Sequence, residues 1–119
     1  MSEPIFWVVE GGIQPRALDA LMPLIEEMVA STKAVEPGTM AYEWFVDSGN
    51  KECHIFEKYR DSAAALIHLR TFEEKFAERL GKLVRIERVK LYGDADKEVV
   101  GALGSEGTVL LLPLTGFTR

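Results

Sequence analysis

The order of strand and helix patterns along only 119 residues is the feature that most constrains the fold. β-Branched and aromatic residues predict strands over residues 5–10, 39–46, 52–59 and 88–92. Apolar residues at helical spacing lie between the first two strands and between the last two. The order β-α-β-β-α-β predicts an α+β, ferredoxin-like domain with both helices on one face of an antiparallel sheet.

Local signals set the expected ends of the first elements. Gly11-Gly12 is expected to end the first strand, and the first helix is expected over residues 15–34. Pro23 lies inside that helix and lacks a backbone N–H, which predicts either a kink or a short first turn followed by the main helix. Residues 47–51 supply the turn chemistry of a hairpin between the second and third strands.

The second helical region is expected in two pieces. Asp61 is placed to cap a short helix over residues 63–69. Thr71 and Glu74 have the spacing of a capping box and predict a further helical stretch, which Gly81 is placed to end.

The chain continues past this six-element core, which spans residues 4–93 of a single domain over residues 1–119. A small helix is expected over residues 96–103, with Gly104 as its stop, and a fifth strand over residues 108–112. The fifth strand can extend its own sheet or cross to the edge of a partner's sheet. Crossing is favoured, because the link over residues 104–107 can carry the chain away and pairing there satisfies an open edge.

The apolar residues on both faces of the first strand indicate a second copy of the chain as a partner. Alternate residues of the first strand are apolar on both faces, so both faces of the sheet are expected to be covered. Because the helices cover only one face, the other is expected to pack against a second copy of the chain, which gives a symmetric homodimer.

Composition excludes several functional classes. The net charge of −5, from 14 basic and 19 acidic residues, argues against nucleic acid as a partner, because phosphate binding requires clustered Lys and Arg. Cys53 is the single cysteine, so an internal disulfide and a cysteine-built zinc site are excluded, and a reducing, cytoplasmic location is expected. No targeting segment and no membrane span is expected from the apolar runs.

Nucleotide-binding, zinc-protease and serine-hydrolase motifs are absent from the sequence. The remaining distinctive run consists of Glu57, Tyr59, Asp61, Ala64, His68 and Phe72. This run resembles the antibiotic biosynthesis monooxygenase family, also described as quinol monooxygenases. Residues 36–43 resemble the turn into that family's second strand, and residues 91–94 and 116–119 resemble a longer subgroup with an added helix and strand.

The resemblance implies a homodimer of ferredoxin-like subunits, a dimeric α/β barrel, with one pocket per subunit between helices and sheet. It also implies oxidation of phenolic aromatics by O2 with neither flavin nor metal, so no cofactor is expected. The family also includes an isomerase-like branch and haem-degrading members. The resemblance implies that haem-degrading members use a haem-ligating His after the second-helix motif and an Asn on the first strand. In this chain the helix after Phe72 has no His and the first strand has no Asn, so haem degradation is disfavoured.

The candidate site centres on His68, whose imidazole titrates near neutral pH and is the candidate general base. Glu57 is the candidate catalytic partner that orients it. The alternatives are a core histidine and a strand ion pair. Aromatic side chains are the candidates for binding the substrate, and they are Tyr42, Trp44, Tyr59 and Phe72.

Three functions remain open on this basis. The first is a cofactor-independent monooxygenase or quinol oxidase that acts with O2 on a small phenolic substrate. The second is an isomerase or other proton-transfer enzyme, and the third is a non-catalytic dimeric protein that binds a small molecule. A phenol has a pKa of about 10 and an imidazole one of about 6.5, so the transfer of a proton from the phenol to the imidazole costs roughly 5 kcal/mol. A hydrogen-bond donor must therefore face the phenolate oxygen and stabilise its charge.

Overall fold

The computed structural model describes residues 3–104 and 107–119, and it confirms the α+β, ferredoxin-like fold. The elements within these residues are, in chain order, β1 Ile5–Ile13, α1 Leu18–Val35, β2 Thr39–Val46, β3 Glu52–Tyr59, α2 Ser62–Lys75, α3 Ala77–Gly81, β4 Val84–Tyr92, α4 Lys97–Leu103 and β5 Thr108–Leu111.

The strands form one sheet in the order β2-β3-β1-β4-β5. β1 lies at the centre and pairs antiparallel with β3 and β4, while β5 runs parallel to β4. Helices α1 and α2 cover the face to which Ile5, Trp7 and Val9 point, and these three side chains are buried. The opposite face carries Phe6 and Val8, which stay partly exposed in the single chain.

The hairpin of β2 and β3 has the expected bounds because its turn is specified locally. Asp47 Oδ1 accepts hydrogen bonds from the backbone N–H groups of Lys51 and Glu52, at 2.8 and 3.0 Å. Asn50 adopts a left-handed conformation with φ of 55°, as turn residues of this type tolerate.

The expected end of the first strand at Gly11-Gly12 is wrong, because β1 continues to Ile13. A Cβ at Gly11 would lie 2.7 Å from Cγ1 of Val84. The glycine therefore permits a close approach between strands rather than a turn. A bulge at Glu87 of β4, opposite the step from Glu10 to Gly11, keeps the two strands paired, and β4 begins at Val84 instead of residue 88.

The first helix starts later than expected and is not divided. Arg16 has φ of 63°, so the helix begins only at Leu18. It then runs through Pro23 as one helix, without the separate first turn that was one expectation. Pro23 lies in its second turn, so proline removes only one hydrogen bond, to the carbonyl of Asp19.

The second helical region divides at a different residue from the expected one. Asp61 caps α2 as expected, since its Oδ1 accepts from the backbone N–H of Ala64 at 2.9 Å. The capping box at Thr71 and Glu74 does not form, because α2 continues to Lys75 and the division falls at Phe76. The helical propensity of residues 70–75 outweighs the capping pattern, and no helix begins at Thr71.

The expected crossing of the fifth strand to a partner is wrong in this structure. β5 pairs with β4 of the same chain, from Val89 opposite Thr108 to Tyr92 opposite Leu111. Parallel neighbours need a crossover of about a dozen residues, and the segment that contains α4 supplies it. Pairing within the same chain also satisfies the backbone hydrogen-bonding groups at the open edge of β4. Of the expected link over residues 104–107, Ser105 and Glu106 lie outside the described residues.

Two adjoining clusters of buried side chains form the core between the sheet and the helices. Tyr42 and Trp44 of β2 pack against both clusters, so they mark where the two meet. Within residues 3–104 and 107–119, no helix combines the length and the apolar character needed to cross a membrane.

Candidate active site

A cavity of about 510 Å³ lies between the helices and the sheet, where the two core clusters meet. Apolar side chains form most of its wall, among them Trp7, Val9, Ile55, Leu69, Phe72 and Val89. Its polar lining, in the part of the chain that the structure describes, consists of Tyr42, Glu57, His68, Arg70 and Glu73. Such a cavity suits a mostly apolar ligand with a few polar groups.

His68 projects from α2 into the interior and is only 5% exposed. Its ring contacts a carboxylate at each nitrogen. Nε2 lies 3.1 Å from Oε1 of Glu57, and Nδ1 lies 2.8 Å from Oε1 of Glu36. The edge of the His68 ring also faces Tyr42, with 5.2 Å between the ring centroids.

Glu57 faces inward because residues of a strand alternate between the two faces of a sheet. Ile55 and Tyr59 share this inward face of β3 and are buried with it. Tyr59 Oη donates a hydrogen bond of 2.7 Å to Oε1 of Glu57. Oε1 therefore meets both Tyr59 and His68, whereas Oε2 takes part in neither contact.

Glu36 completes the cluster from the C-terminal end of α1, and sequence reasoning did not identify it as a site residue. It is 4% exposed, and Thr39 Oγ1 donates a hydrogen bond of 3.1 Å to its Oε1. Its Oε2 is buried and has no hydrogen-bond partner among the described residues. Because Glu36 and His68 are 32 residues apart, no local spacing could have paired them.

The turn that carries Glu36 packs closely against α2. A Cβ added at Gly38 would lie 2.5 Å from the Cβ of Ala64, which is buried at the start of that helix. The absence of a side chain at Gly38 therefore lets the turn approach α2 and brings Glu36 to His68.

The two carboxylates change the protonation of His68. Burial acts to lower the pKa of the imidazole, but its hydrogen bonds to Glu36 and Glu57 and the negative charges of these two side chains outweigh burial and raise this pKa to about 9. Burial, followed by the charge of Glu57, also raises the pKa of Tyr42 and of Tyr59, so both phenols stay protonated and can donate hydrogen bonds.

The structure brings together four of the six residues expected at the site. Four of them line the same cavity, namely His68, Glu57, Tyr42 and Phe72. The two other expected residues lie behind it. Tyr59 is fully buried behind Glu57, and Trp44 packs in the core with its ring centroid 6.5 Å from that of Tyr42. Their roles in binding or catalysis stay predictions.

Sequence reasoning also missed two charged residues at the exposed part of the cavity, Arg70 and Glu73. Both stand on α2 at one turn's distance or less from His68 or Phe72, but exposed charges on a helix are too common to single out. Among the described residues, no group of three or more His, Cys, Asp or Glu side chains has an arrangement that could hold a metal ion.

Comparison with known proteins gives one family and a consistent fold. Residues 4–73 match the family model described as antibiotic biosynthesis monooxygenase. Among curated proteins, no sequence matches the chain significantly.

Solved structures extend the likeness beyond those residues. MupZ from Pseudomonas fluorescens is 21% identical with a TM-score of 0.82, and the match covers 98% of this chain and 95% of MupZ. Rv0793 from Mycobacterium tuberculosis is 22% identical with a TM-score of 0.67, over 80% of this chain and 98% of its own. A structure described as an antibiotic biosynthesis monooxygenase is 27% identical with a TM-score of 0.61, over 73% and 92% of the two chains.

Proposed function

Because the chain belongs to the antibiotic biosynthesis monooxygenase family, we propose that it is an enzyme that oxidises a small phenolic or quinol substrate with O2 and without a metal or organic cofactor. The family supplies the reaction class, and the interior of this chain supplies the reason to assign the reaction to one cavity.

The observation that carries the proposal is a cluster of buried ionisable side chains at the wall of an apolar cavity. Glu57 and His68 are each 5% exposed and line this cavity. Burying charged groups is costly, and strongly perturbed titratable groups in a cleft are characteristic of catalytic sites. A structural ion pair alone would not require a cavity of about 510 Å³ beside it.

The proposed reaction begins when the apolar walls bind an aromatic ring and the cluster removes the proton of its hydroxyl group. In water, transfer from a phenol costs roughly 5 kcal/mol to an unperturbed imidazole and roughly 8 kcal/mol to an unperturbed carboxylate. A donor aimed at the forming phenolate can return about 3–4 kcal/mol. Tyr42 is suited to this role, because its raised pKa keeps the hydroxyl protonated and it lines the same cavity.

The electron-rich phenolate then reduces O2 directly. In a monooxygenation, a ring C–H group and the phenolic C–OH group each become C=O, so the substrate loses two hydrogens and gains one oxygen atom, and the other oxygen atom leaves as water. In the oxidation of a quinol, two electrons and two protons pass to O2 and give a quinone and hydrogen peroxide. The protein's part is to bind, to remove the proton and to exclude water, for which the apolar wall is suited.

Oxygen uptake with a panel of naphthols and hydroquinones tests the proposal. We expect Glu57→Gln and His68→Gln to lower kcat/KM about 100-fold or more, the usual minimum for loss of acid–base catalysis. Glu74→Gln is the matched control, because Glu74 is an exposed carboxylate on the same helix and is not among the residues that line the cavity. The control should stay within about threefold of the unchanged protein, as surface substitutions usually do. Equal losses in all three variants would contradict the proposed role of the cluster.

A further inference from the structure

The geometry points to a division of roles inside the cluster: Glu57, not His68, accepts the substrate's proton, His68 is held as an imidazolium between two carboxylates, and Glu36 is the residue that positions it. The catalytic part of this inference rests on the proposed function. The charge state of His68 does not, and it can be measured on the resting protein.

Hydrogen-bond geometry supports two protons on the His68 ring. An imidazole nitrogen without a proton is an acceptor, and an ionised carboxylate is an acceptor only. Nδ1 and Nε2 each face a carboxylate oxygen, at 2.8 and 3.1 Å. A neutral ring would set the lone pair of one nitrogen against the lone pairs of a carboxylate, whereas an imidazolium donates to both.

The partners of Glu36 and Glu57 argue against a proton on either of the oxygens that face the ring. Oε1 of Glu36 accepts from Thr39 Oγ1 and faces His68, and Oε1 of Glu57 accepts from Tyr59 Oη and faces His68. Each oxygen that contacts the ring thus already accepts from a hydroxyl group. An oxygen that accepts from two donors has no room for a proton of its own, so neither Oε1 is the O–H of a carboxylic acid.

The remaining charges around the ring do not change this balance. Tyr42 from β2 and Tyr59 from β3 face it as neutral phenols. On the helix of His68 itself, Arg70 and Glu73 carry opposite charges at the exposed part of the cavity. Two carboxylates and one imidazolium therefore leave the buried cluster with one net negative charge.

Glu57 is the member of this cluster that can take a further proton from a ligand. The imidazolium has no free lone pair, and Glu36 does not line the cavity, whereas Glu57 does. Its Oε2 takes no part in the contacts with Tyr59 and His68. The O–H bond of the phenol breaks, the proton binds Oε2 of Glu57, and the negative charge moves from the cluster to the phenolate oxygen, so the total charge is unchanged.

Glu36 acts through His68 and does not touch the cavity. It anchors Nδ1, the ring nitrogen on the far side from Glu57, and so fixes both the orientation and the charge of the ring. Its buried and unpartnered Oε2 leaves its negative charge poorly compensated, which strengthens its hold on the ring proton.

Nitrogen-15 NMR of the imidazole rings tests the inference on the full chain without any substrate. The protein has two histidines, and His54 is exposed on the opposite face of the sheet, so it is an internal control in each spectrum. We expect both nitrogens of His68 to carry protons at about pH 7.5 and the ring to titrate near pH 9. Glu36→Gln should lower that midpoint by about one unit or more and leave His54 unchanged.

A His68 ring that is neutral at about pH 7.5 in the unchanged protein overturns the inference, whether or not Glu36→Gln folds. So does a midpoint that Glu36→Gln leaves in place. With an oxidisable phenol, kcat/KM should not rise in step with the deprotonation of His68 measured by NMR, and a rise with the same midpoint would assign the base to His68 instead. A neutral His68 ring in a protein that oxidises phenols would contradict this inference but not the proposed function. A charged His68 ring in a protein that consumes no O2 would support the charge state and contradict the proposed function.

Discussion

At the residue scale, the protein keeps three ionisable side chains, Glu36, Glu57 and His68, almost out of contact with water. Such a cluster stabilises the fold only while all three partners are present, since removing one partner of a buried ion pair usually costs about 3–5 kcal/mol. The cluster therefore links the stability of the protein to the protonation of one ring, and this link can be measured without knowing the substrate.

Stability should fall as the pH rises past neutrality. Folding raises the pKa of His68 from 6.5 to about 9, so the stabilisation is complete below about pH 6.5 and is lost as the pH rises through about 9. At 1.36 kcal/mol per pKa unit, the loss is on the order of 3 kcal/mol. Urea unfolding at about pH 6 and pH 10 measures it.

Glu36→Gln is the control for this pH dependence, because it keeps the size of the side chain and removes its charge. The variant should lose clearly less stability over the same pH interval, while all other titrating groups are shared. An identical loss in both proteins would mean that the pH dependence arises elsewhere in the chain.

The residues of the site differ in how far sequence could identify them. Glu57, His68 and Phe72 belong to one run that resembles a known family, and the structure brings them to one cavity with Tyr42. Glu36 entered the sequence analysis only within residues 36–43, which resemble the turn into the family's second strand. Its role depends on the approach of the α1–β2 turn to α2, a contact between distant segments that no periodicity encodes.

At the scale of elements, the site depends on how closely the turn between α1 and β2 can approach α2. Gly38→Ala should push the two apart, since the new Cβ would lie 2.5 Å from that of Ala64. Overpacking of this kind costs about 1–3 kcal/mol. Denaturant unfolding should show the loss, and NMR should show a lower midpoint for His68 because Glu36 moves with the turn.

Gly49→Ala is the matched control for this prediction. Gly49 lies in the turn between β2 and β3, and a Cβ there would meet nothing closer than 3.8 Å. Its effect should be small, within about 0.5 kcal/mol. A Gly38→Ala variant as stable as Gly49→Ala would contradict the close packing of the turn against α2.

The same distinction between local and distant contacts explains which elements could be predicted. The β2–β3 hairpin has its expected bounds because Asp47 and Asn50 specify the turn within five residues. Gly11 was misjudged because glycine serves turns and close strand approaches alike, and only the position of Val84 decides between them. The pairing of β5 was misjudged because both options satisfy the same open edge.

At the scale of the whole molecule, we propose that the chain forms a homodimer through the face of the sheet that the helices leave uncovered. On that face Phe6 packs against Tyr92 and Phe56, with centroid distances of 4.6 and 5.4 Å. Val109 and Leu111 of β5 extend the same face and are 46% and 39% exposed in the single chain. Neighbouring exposed apolar side chains of this kind are characteristic of an interface.

Val109→Lys should weaken the dimer at least about tenfold, because it places a charge in the proposed interface. Ile67→Lys is the control, since Ile67 is 49% exposed but lies on α2, away from this face. Sedimentation velocity at low micromolar concentration compares them. A full-length protein that sediments as a monomer would contradict the proposal, as would equal weakening by both substitutions.

The central claim, oxidation by O2 in the cavity beside Glu57 and His68, is tested most directly by converting one substrate under air and under nitrogen with chelator-treated protein. The account predicts that conversion stops under nitrogen and that under air each product molecule consumes one O2. Conversion at the same rate under nitrogen would contradict it and indicate a proton-transfer enzyme such as an isomerase. A phenol that binds the cavity but is converted under neither gas would contradict it as well and indicate a binding protein.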